Sequence, residues 1–140
     1  MTHSRQLRRA LALFACGLFL AVTPALAGED AKDAADPSVK LASVGIPVFE
    51  GHQVINYLFL SIKINLTPKG DQTKLRDMEP YFRDVLVRAA HKTSFGQAGH
   101  DDRLDEARFK SVMMIEFTKV AGPGKIESVE IISQSPKNRK

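Results

Sequence analysis

Histidine and aspartate side chains give this sequence its best chance of binding a metal ion. His91, His100, Asp101 and Asp102 follow one another over a short stretch, whereas His52 is remote from them. Imidazole and carboxylate ligands together suit zinc. Their spacing matches no established zinc signature, and a polar loop between two helices commonly has this composition. A basic side chain in the last helical turn also complements the helix dipole, which gives His91 a structural explanation. We therefore predict no metal site and no bound cofactor.

Groups for nucleophilic or acid–base catalysis are equally sparse. An activated serine needs a base and an orienting group, and the sequence contains no Gly-x-Ser-x-Gly turn. Two acidic pairs, Asp77 with Glu79 and Asp101 with Asp102, have the chemistry of general acids and bases. They are explained more simply as parts of an exposed helix face and of a solvated loop. Residues 96–99 contain two glycines but lack the other parts of a phosphate-binding loop. The sequence thus predicts a protein that is not an enzyme.

The N-terminal region has the three-part layout of a secretory signal. Three arginines precede an uncharged apolar run, and the run ends near Ala25 and Ala27, small residues at the positions that a signal peptidase reads. The pattern predicts cleavage between Ala27 and Gly28, and hence an exported, periplasmic protein.

Two other interpretations of this leader stay open. An uncleaved apolar run of this length lies at the low end of what can cross a bilayer as a helix. It would leave the protein in the inner membrane as a single-pass protein with a periplasmic domain. Acylation of Cys16 would instead make a lipoprotein. Against this, Cys16 lies in the middle of the apolar run, and the bulky Phe14 stands where such signals usually carry a small residue.

Length, composition and charge describe one domain. The chain has 140 residues, 44% of them apolar, with 20 Lys and Arg against 16 Asp and Glu. Arg5, Arg8 and Arg9 belong to the leader, so its removal leaves 17 positive charges against 16 negative ones. A nearly neutral domain has no basic stripe for phosphates, and we predict no nucleic-acid partner. Because Cys16 also lies in the leader, the mature chain would contain neither disulfide nor thiol.

The chain divides into four segments on composition. Residues 1–27 form the leader, and residues 28–40, rich in Ala, Asp and Lys, are typical of a disordered tether. Residues 41–134 form the folded domain, and residues 135–140 form a short basic tail.

A period of two marks the clearest strand. Every even position from 58 to 66 is apolar, whereas Ser61, Lys63 and Asn65 face the other way, which predicts a half-buried strand. Tyr57 and Phe59 extend the apolar character to the opposite face at the start of this strand.

Two shorter strands complete the predicted sheet. Residues 44–49 form an extended segment, which Pro47 confines to a sheet edge or a bulge. A turn at residues 50–52 would join it to the main strand as a hairpin. Residues 126–134 form the last strand.

Helical periodicity follows the hairpin. Apolar residues at steps of three and four over residues 75–89 predict one helix. Pro80 either kinks this helix or lies in the first turn of a regular part that begins near Glu79. A second helix runs from the N-cap Asp105 to Ala121. The order predicts an α+β fold, β-β-α-α-β, with two helices packed on a small, mostly antiparallel sheet.

These segments, in this order, resemble the periplasmic domain of FliL-type flagellar basal-body-associated proteins. The resemblance covers roughly residues 44–134, and its pieces are a Tyr-Leu strand, a helix with Pro, an apolar residue and Arg-Asp, and a closing strand ending in Gln. The positions that match the family pattern are Tyr57, Pro80, Phe82, Arg83, Asp84 and Gln134.

The resemblance implies a stomatin-like fold, no catalytic residues, and a ring of copies around the stator units of the flagellar motor. The expected partners are therefore stator or basal-body proteins and further copies of the chain. Family members keep an N-terminal transmembrane helix, whereas this leader has a cleavable pattern. The loop at residues 93–103 is also more polar than in the family.

We therefore predict a non-enzymatic periplasmic interaction domain at the motor. Its contact surface would be an exposed sheet edge, residues 126–134 or 44–49, or the outward helix faces. Two alternatives stay open: a FliL-like envelope accessory protein without a motility role, and a periplasmic module that binds a small ligand or a metal.

Overall fold

The computed structural model describes residues 36–138, so the predicted leader, with Ala25, Ala27 and Gly28, lies outside the described residues. In the described part the chain forms three strands and three helices, and the strands make one antiparallel sheet in the order β1-β2-β3. The elements are β1 Ser38–Glu50, β2 Gln53–Leu66, α1 Gln72–Asp77, α2 Glu79–Lys92, α3 Glu106–Ala121 and β3 Ile126–Pro136. The α+β class is confirmed, but the order is β-β-α-α-α-β, with one helix more than predicted.

β2 is the central strand, and its alternating pattern forms the middle of the core. The even-numbered side chains of Leu58, Leu60, Ile62 and Ile64 are completely buried. Successive side chains of a strand point to opposite faces, so the odd positions face away from the core. The strand predicted from the period of two is confirmed.

β1 is an edge strand, as Pro47 required, and a tight turn joins it to β2. Gly51 in this turn has φ 60°, the backbone region that two-residue hairpin turns need at this position and that glycine adopts without strain. β1 begins at Ser38, so residues 38–40 belong to the sheet and not to the tether. Composition missed them because Val39 is the single apolar residue among the three.

The predicted first helix is in fact two helices. α1 begins after Asp71, whose side chain accepts a hydrogen bond from Lys74 N at 3.0 Å. α2 begins at Glu79 with Pro80 in its first turn, where the missing N–H would have had no helical partner. Of the two alternatives for Pro80, the start near Glu79 is confirmed. Met78 joins the two helices.

α3 agrees with its predicted bounds, and β3 is longer than predicted. The Asp105 carboxylate accepts from Arg108 N at 3.1 Å, and the helix ends at Ala121 before Gly122. β3 continues to Pro136, so residues 135–136 of the predicted tail pair with β2.

The described helices cover one face of the sheet. Phe82 of α2 and Phe117 of α3 are fully buried there, and their rings meet edge to face at 5.5 Å between centroids. Phe95 and Phe109 form a second such pair at 5.2 Å. We call the opposite side of the sheet the outer face. No helix of residues 36–138 is long and apolar enough to cross a membrane.

Candidate interaction surface on the outer face of the sheet

A row of apolar side chains lies on the outer face. Tyr57 and Phe59 are successive outward residues of β2, 40% and 45% exposed, and Ile55, 36% exposed, precedes them where the register with β1 shifts by one residue. Single exposed apolar residues are ordinary on a protein surface, but a continuous group marks a binding surface. We call these three residues the outer patch.

The β1 residues beside the outer patch are small enough not to clash with the rings of Tyr57 and Phe59. Gly45 pairs with Phe59, and Pro47 pairs with Tyr57. A Cβ atom at Gly45 would lie 3.3 Å from the Cε1 atom of Phe59, so a side chain at Gly45 would push against the ring. Glycine at this position therefore lets the ring lie over the β1 backbone.

The C-terminal segment borders the outer patch on the other side. Lys137 Nζ lies 5.8 Å from the ring centroid of Tyr57, within the range of a cation–π contact. The backbone N–H of Lys137 also donates to Tyr57 O at 2.8 Å. Residue 137, which composition placed in the short basic tail, is thus held against β2.

A buried asparagine anchors the end of this segment. Asn56 is 2% exposed, and its Nδ2 atom donates to Asn138 O at 3.1 Å. Its Oδ1 atom accepts from Asn138 N at 3.1 Å. The side chain thereby pairs with both backbone groups of one tail residue, as a strand neighbour would.

The remainder of the outer face is polar. Lys63 lies between Lys40 of β1 and Glu130 of β3, with 3.9 Å between Lys63 Nζ and Glu130 Oε2. Beyond them Asn65 Nδ2 donates to Ser128 Oγ at 2.9 Å. The outer face is thus apolar towards the hairpin turn and polar at the opposite end.

Tyr57 is the one residue of the family pattern that belongs to the outer patch. Phe82 is buried in the core, and Pro80 lies in the first turn of α2. Gln134 of β3 accepts a hydrogen bond from Leu104 N at its Oε1 atom, at 3.2 Å. The last contact joins β3 to the loop before α3.

The charged pair of the pattern lies on α2. Arg83 contacts Glu79 Oε1 through Nη2 at 2.6 Å and through Nε at 3.1 Å, and Nη2 also donates to Ala42 O of β1 at 3.2 Å. Asp84 forms an exposed ion pair with Arg88 one turn further along. Arg83 therefore connects a helix to the sheet, whereas the contact of Asp84 lies within its own helix.

The structure does not gather the described histidines and the two acidic pairs into one site. His91 Nδ1 is 2.8 Å from Val87 O within α2, and His100 Nδ1 is 4.0 Å from Asp102 Oδ1. His52 lies in the hairpin turn. Among residues 36–138, no three His, Cys, Asp or Glu side chains are placed to hold one metal ion.

A shallow depression of about 220 Å³ adjoins the outer patch at the hairpin end. Ile55 and Phe49 form its apolar side, and residues 96–101 with Glu50 form its polar side. The surface near the hairpin end of the outer patch is therefore concave.

The outer patch was missed by reasoning that looked for the interaction surface on strand edges and helix faces. The available signal was the pair of aromatic residues at odd positions, Tyr57 and Phe59, opposite the buried row of β2.

The chain matches no protein-family model, and no curated protein matches it significantly in sequence.

Proposed function

We propose that this protein is an exported, non-enzymatic interaction domain of FliL type, which acts in the periplasm beside the flagellar motor. The outer patch binds a stator or basal-body protein. The observation that supports this role is a sheet covered by helices on one face, with Ile55, Tyr57 and Phe59 exposed in a row on the other. Aromatic residues are enriched in the buried centres of protein interfaces, where tyrosine is among the side chains that contribute most binding energy.

The geometry favours binding over catalysis at this place. A catalytic site needs several titratable groups that converge on one reacting atom. The outer patch instead offers aliphatic and aromatic surface, with Lys137 Nζ at its border, 5.8 Å from the Tyr57 ring centroid. An exposed apolar row with a cation at its border suits a protein surface with an apolar centre and an acidic rim.

The motor as the place of action rests on the family resemblance together with the export signal. Phe82 and Arg83, two residues of the pattern, hold α2 to the rest of the domain. We propose that the fold is stomatin-like. Proteins of one fold would share residues that hold a helix to the rest of the domain, whatever partners they bind. The experiment must therefore separate a motor protein from an envelope protein of the same fold.

Swimming in soft agar tests the proposal. A strain that lacks the gene should swim less, and the wild-type gene should restore swimming. The double variant Tyr57→Ser/Phe59→Ser should fail to restore it at normal protein level, because its patch no longer buries aromatic surface. Tyr81→Ser is the matched control, since Tyr81 is a 63% exposed tyrosine on α2, and this variant should restore swimming.

Two results would count against the proposal in different ways. Normal swimming of the deletion strain would exclude the motor role and leave the envelope accessory protein. Full restoration by the double variant, with impaired swimming in its absence, would exclude the outer patch as the contact surface.

A further inference from the structure

The hairpin turn and the end of α2 meet at a second depression, of about 270 Å³. Two histidines line it, His52 from the turn and His91 from the last turn of α2. They are distant in the sequence, and the fold brings them to one place. The other lining residues are Phe49, Gly51, Lys92 and Ser94, so the described lining contains two imidazole rings and no carboxylate. We call this site the histidine depression.

His91 is oriented by a hydrogen bond within its own helix. Its Nδ1 atom lies 2.8 Å from Val87 O. A carbonyl oxygen can only accept a hydrogen bond, so Nδ1 carries the hydrogen, and Nε2 of the neutral ring keeps a lone pair. Metal-binding histidines commonly have this arrangement, in which one ring nitrogen donates to a backbone carbonyl and the other binds the ion. His91 therefore has a ring nitrogen available as a ligand.

His52 supplies the second imidazole. It follows Gly51 in the exposed hairpin turn, and within residues 36–138 its side chain forms no hydrogen bond or ion pair. Its ring can therefore turn towards the depression without breaking a contact of the described structure. Imidazole nitrogens suit zinc, copper and nickel ions.

The charges around the histidine depression act on a cation in opposite directions. The last carbonyl groups of a helix carry partial negative charge, which favours a cation at the C-terminal end of α2. Lys92 opposes it, but this side chain is exposed, and a long lysine stem lets the ammonium group turn into water. A water molecule takes up about 30 Å³ in the liquid, so the depression has room for an ion with several bound waters.

We propose that His52 and His91 bind one divalent transition-metal ion, His91 through Nε2, and that water molecules fill the remaining coordination positions. The ion then joins the hairpin turn to the end of α2. Two protein ligands make an open, exchangeable site, in contrast to structural zinc sites with four. The inference does not depend on the motor role. Of the four residues that the sequence suggested as zinc ligands, this site uses only His91.

Calorimetric titration with Zn²⁺ tests the site. The protein is purified from the cell envelope without a histidine tag, in the form that cells retain, and is freed of metal with a chelator. The wild type should bind one Zn²⁺ per chain. His52→Gln and His91→Gln should each weaken binding at least about tenfold, since loss of an outer-shell residue alone commonly costs about 10- to 100-fold. His100→Gln is the matched control, because this exposed histidine lies beside Asp102 in the loop before α3, and the variant should bind like the wild type.

Two further measurements test the charge of the ligand and the atoms that bind it. Lys92→Gln removes a cation and should tighten Zn²⁺ binding by about two- to fivefold, the effect of one exposed charge pair. The same change would weaken binding of an oxyanion, so inorganic phosphate is titrated alongside. In spectra of the ¹⁵N-labelled protein, Zn²⁺ should shift His91 Nε2 and one ring nitrogen of His52, while His91 Nδ1 keeps its hydrogen. Circular dichroism checks that every variant is folded.

Several outcomes would overturn the inference. A wild type that binds no Zn²⁺ at any concentration at which it stays soluble excludes the site. Binding that survives His52→Gln, or that is lost in His100→Gln, places the ion elsewhere. Half an ion per chain would place the ion between two copies. Phosphate binding that Lys92→Gln weakens, without Zn²⁺ binding, would make the histidine depression an anion site.

Discussion

Replacing Arg83 by methionine distinguishes a residue that holds the fold from one that faces a partner. The guanidinium contacts Glu79 Oε1 within α2 and donates to Ala42 O at 3.2 Å on the edge of β1. Methionine keeps an unbranched apolar stem but donates no hydrogen bond, so the change removes both polar contacts with little loss of packing.

The cost follows from the two contacts. An i,i+4 ion pair on a helix contributes about 0.3–0.5 kcal/mol. A hydrogen bond from a charged donor contributes about 1.5–3 kcal/mol when water is excluded. The Arg83 side chain is 39% exposed, so water partly replaces the lost donor, and about 1 kcal/mol of the second contribution remains. We expect Arg83→Met to lower the free energy of unfolding by about 1–2 kcal/mol.

Asp84→Asn is the control from the same motif. Asp84 and its partner Arg88 have side chains 53% and 65% exposed, and their contact lies within one helix. The expected loss is at most about 0.5 kcal/mol. Urea unfolding followed by circular dichroism measures both variants, and thermal unfolding should show a decrease of about 4–8 °C per kcal/mol. Equal losses for the two variants, or a loss below about 0.5 kcal/mol for Arg83→Met, would refute a structural role for the contact with Ala42.

Three further changes test other parts of the structure. Phe82→Ala removes one ring of the buried pair with Phe117 and should cost about 3–5 kcal/mol in urea unfolding; a loss under about 1 kcal/mol would contradict the described core. Asn56→Ala should cost about 1–3 kcal/mol and should speed amide hydrogen exchange at Asn138, whereas unchanged protection there would mean that Asn56 does not hold the tail. Gly96→Ala should cost about 1–3 kcal/mol, because its Cβ would lie 2.6 Å from Val48 Cγ1, and a stability equal to that of the wild type would show that the loop moves away freely.

The strands could be predicted where a long alternating pattern existed, and their ends could not. β2 has an unbroken apolar row from Leu58 to Leu66, and burial of that row determines its register and its face. No comparable apolar row exists at the ends of the sheet, Ser38–Lys40 and Ser135–Pro136. They extend the sheet through backbone pairing with residues at either end of β2, which no side-chain pattern records.

The extra helix escaped detection because burial continues across the break. Leu75 of α1 and Phe82 of α2 are both buried on the sheet, so the apolar spacing runs on as if one helix continued. Met78 ends α1 and precedes α2 without interrupting that spacing. Only Pro80 signalled the boundary, through the physical requirement that a proline lies in a first turn.

The candidate site depends on a choice that one sequence cannot make, namely which face of β2 the helices cover. The even row is uniformly apolar, whereas the odd row is apolar at Tyr57 and Phe59 and polar from Ser61 onwards. The even row therefore gains more free energy from burial under the helices, since burial stabilises in proportion to the apolar area removed from water. In the described residues α2 and α3 pack on that row, and the apolar part of the odd row stays exposed. A second molecule can then bury this exposed apolar surface. For this physical reason we expect a partner at Tyr57 and Phe59 and not at the polar end of the same strand.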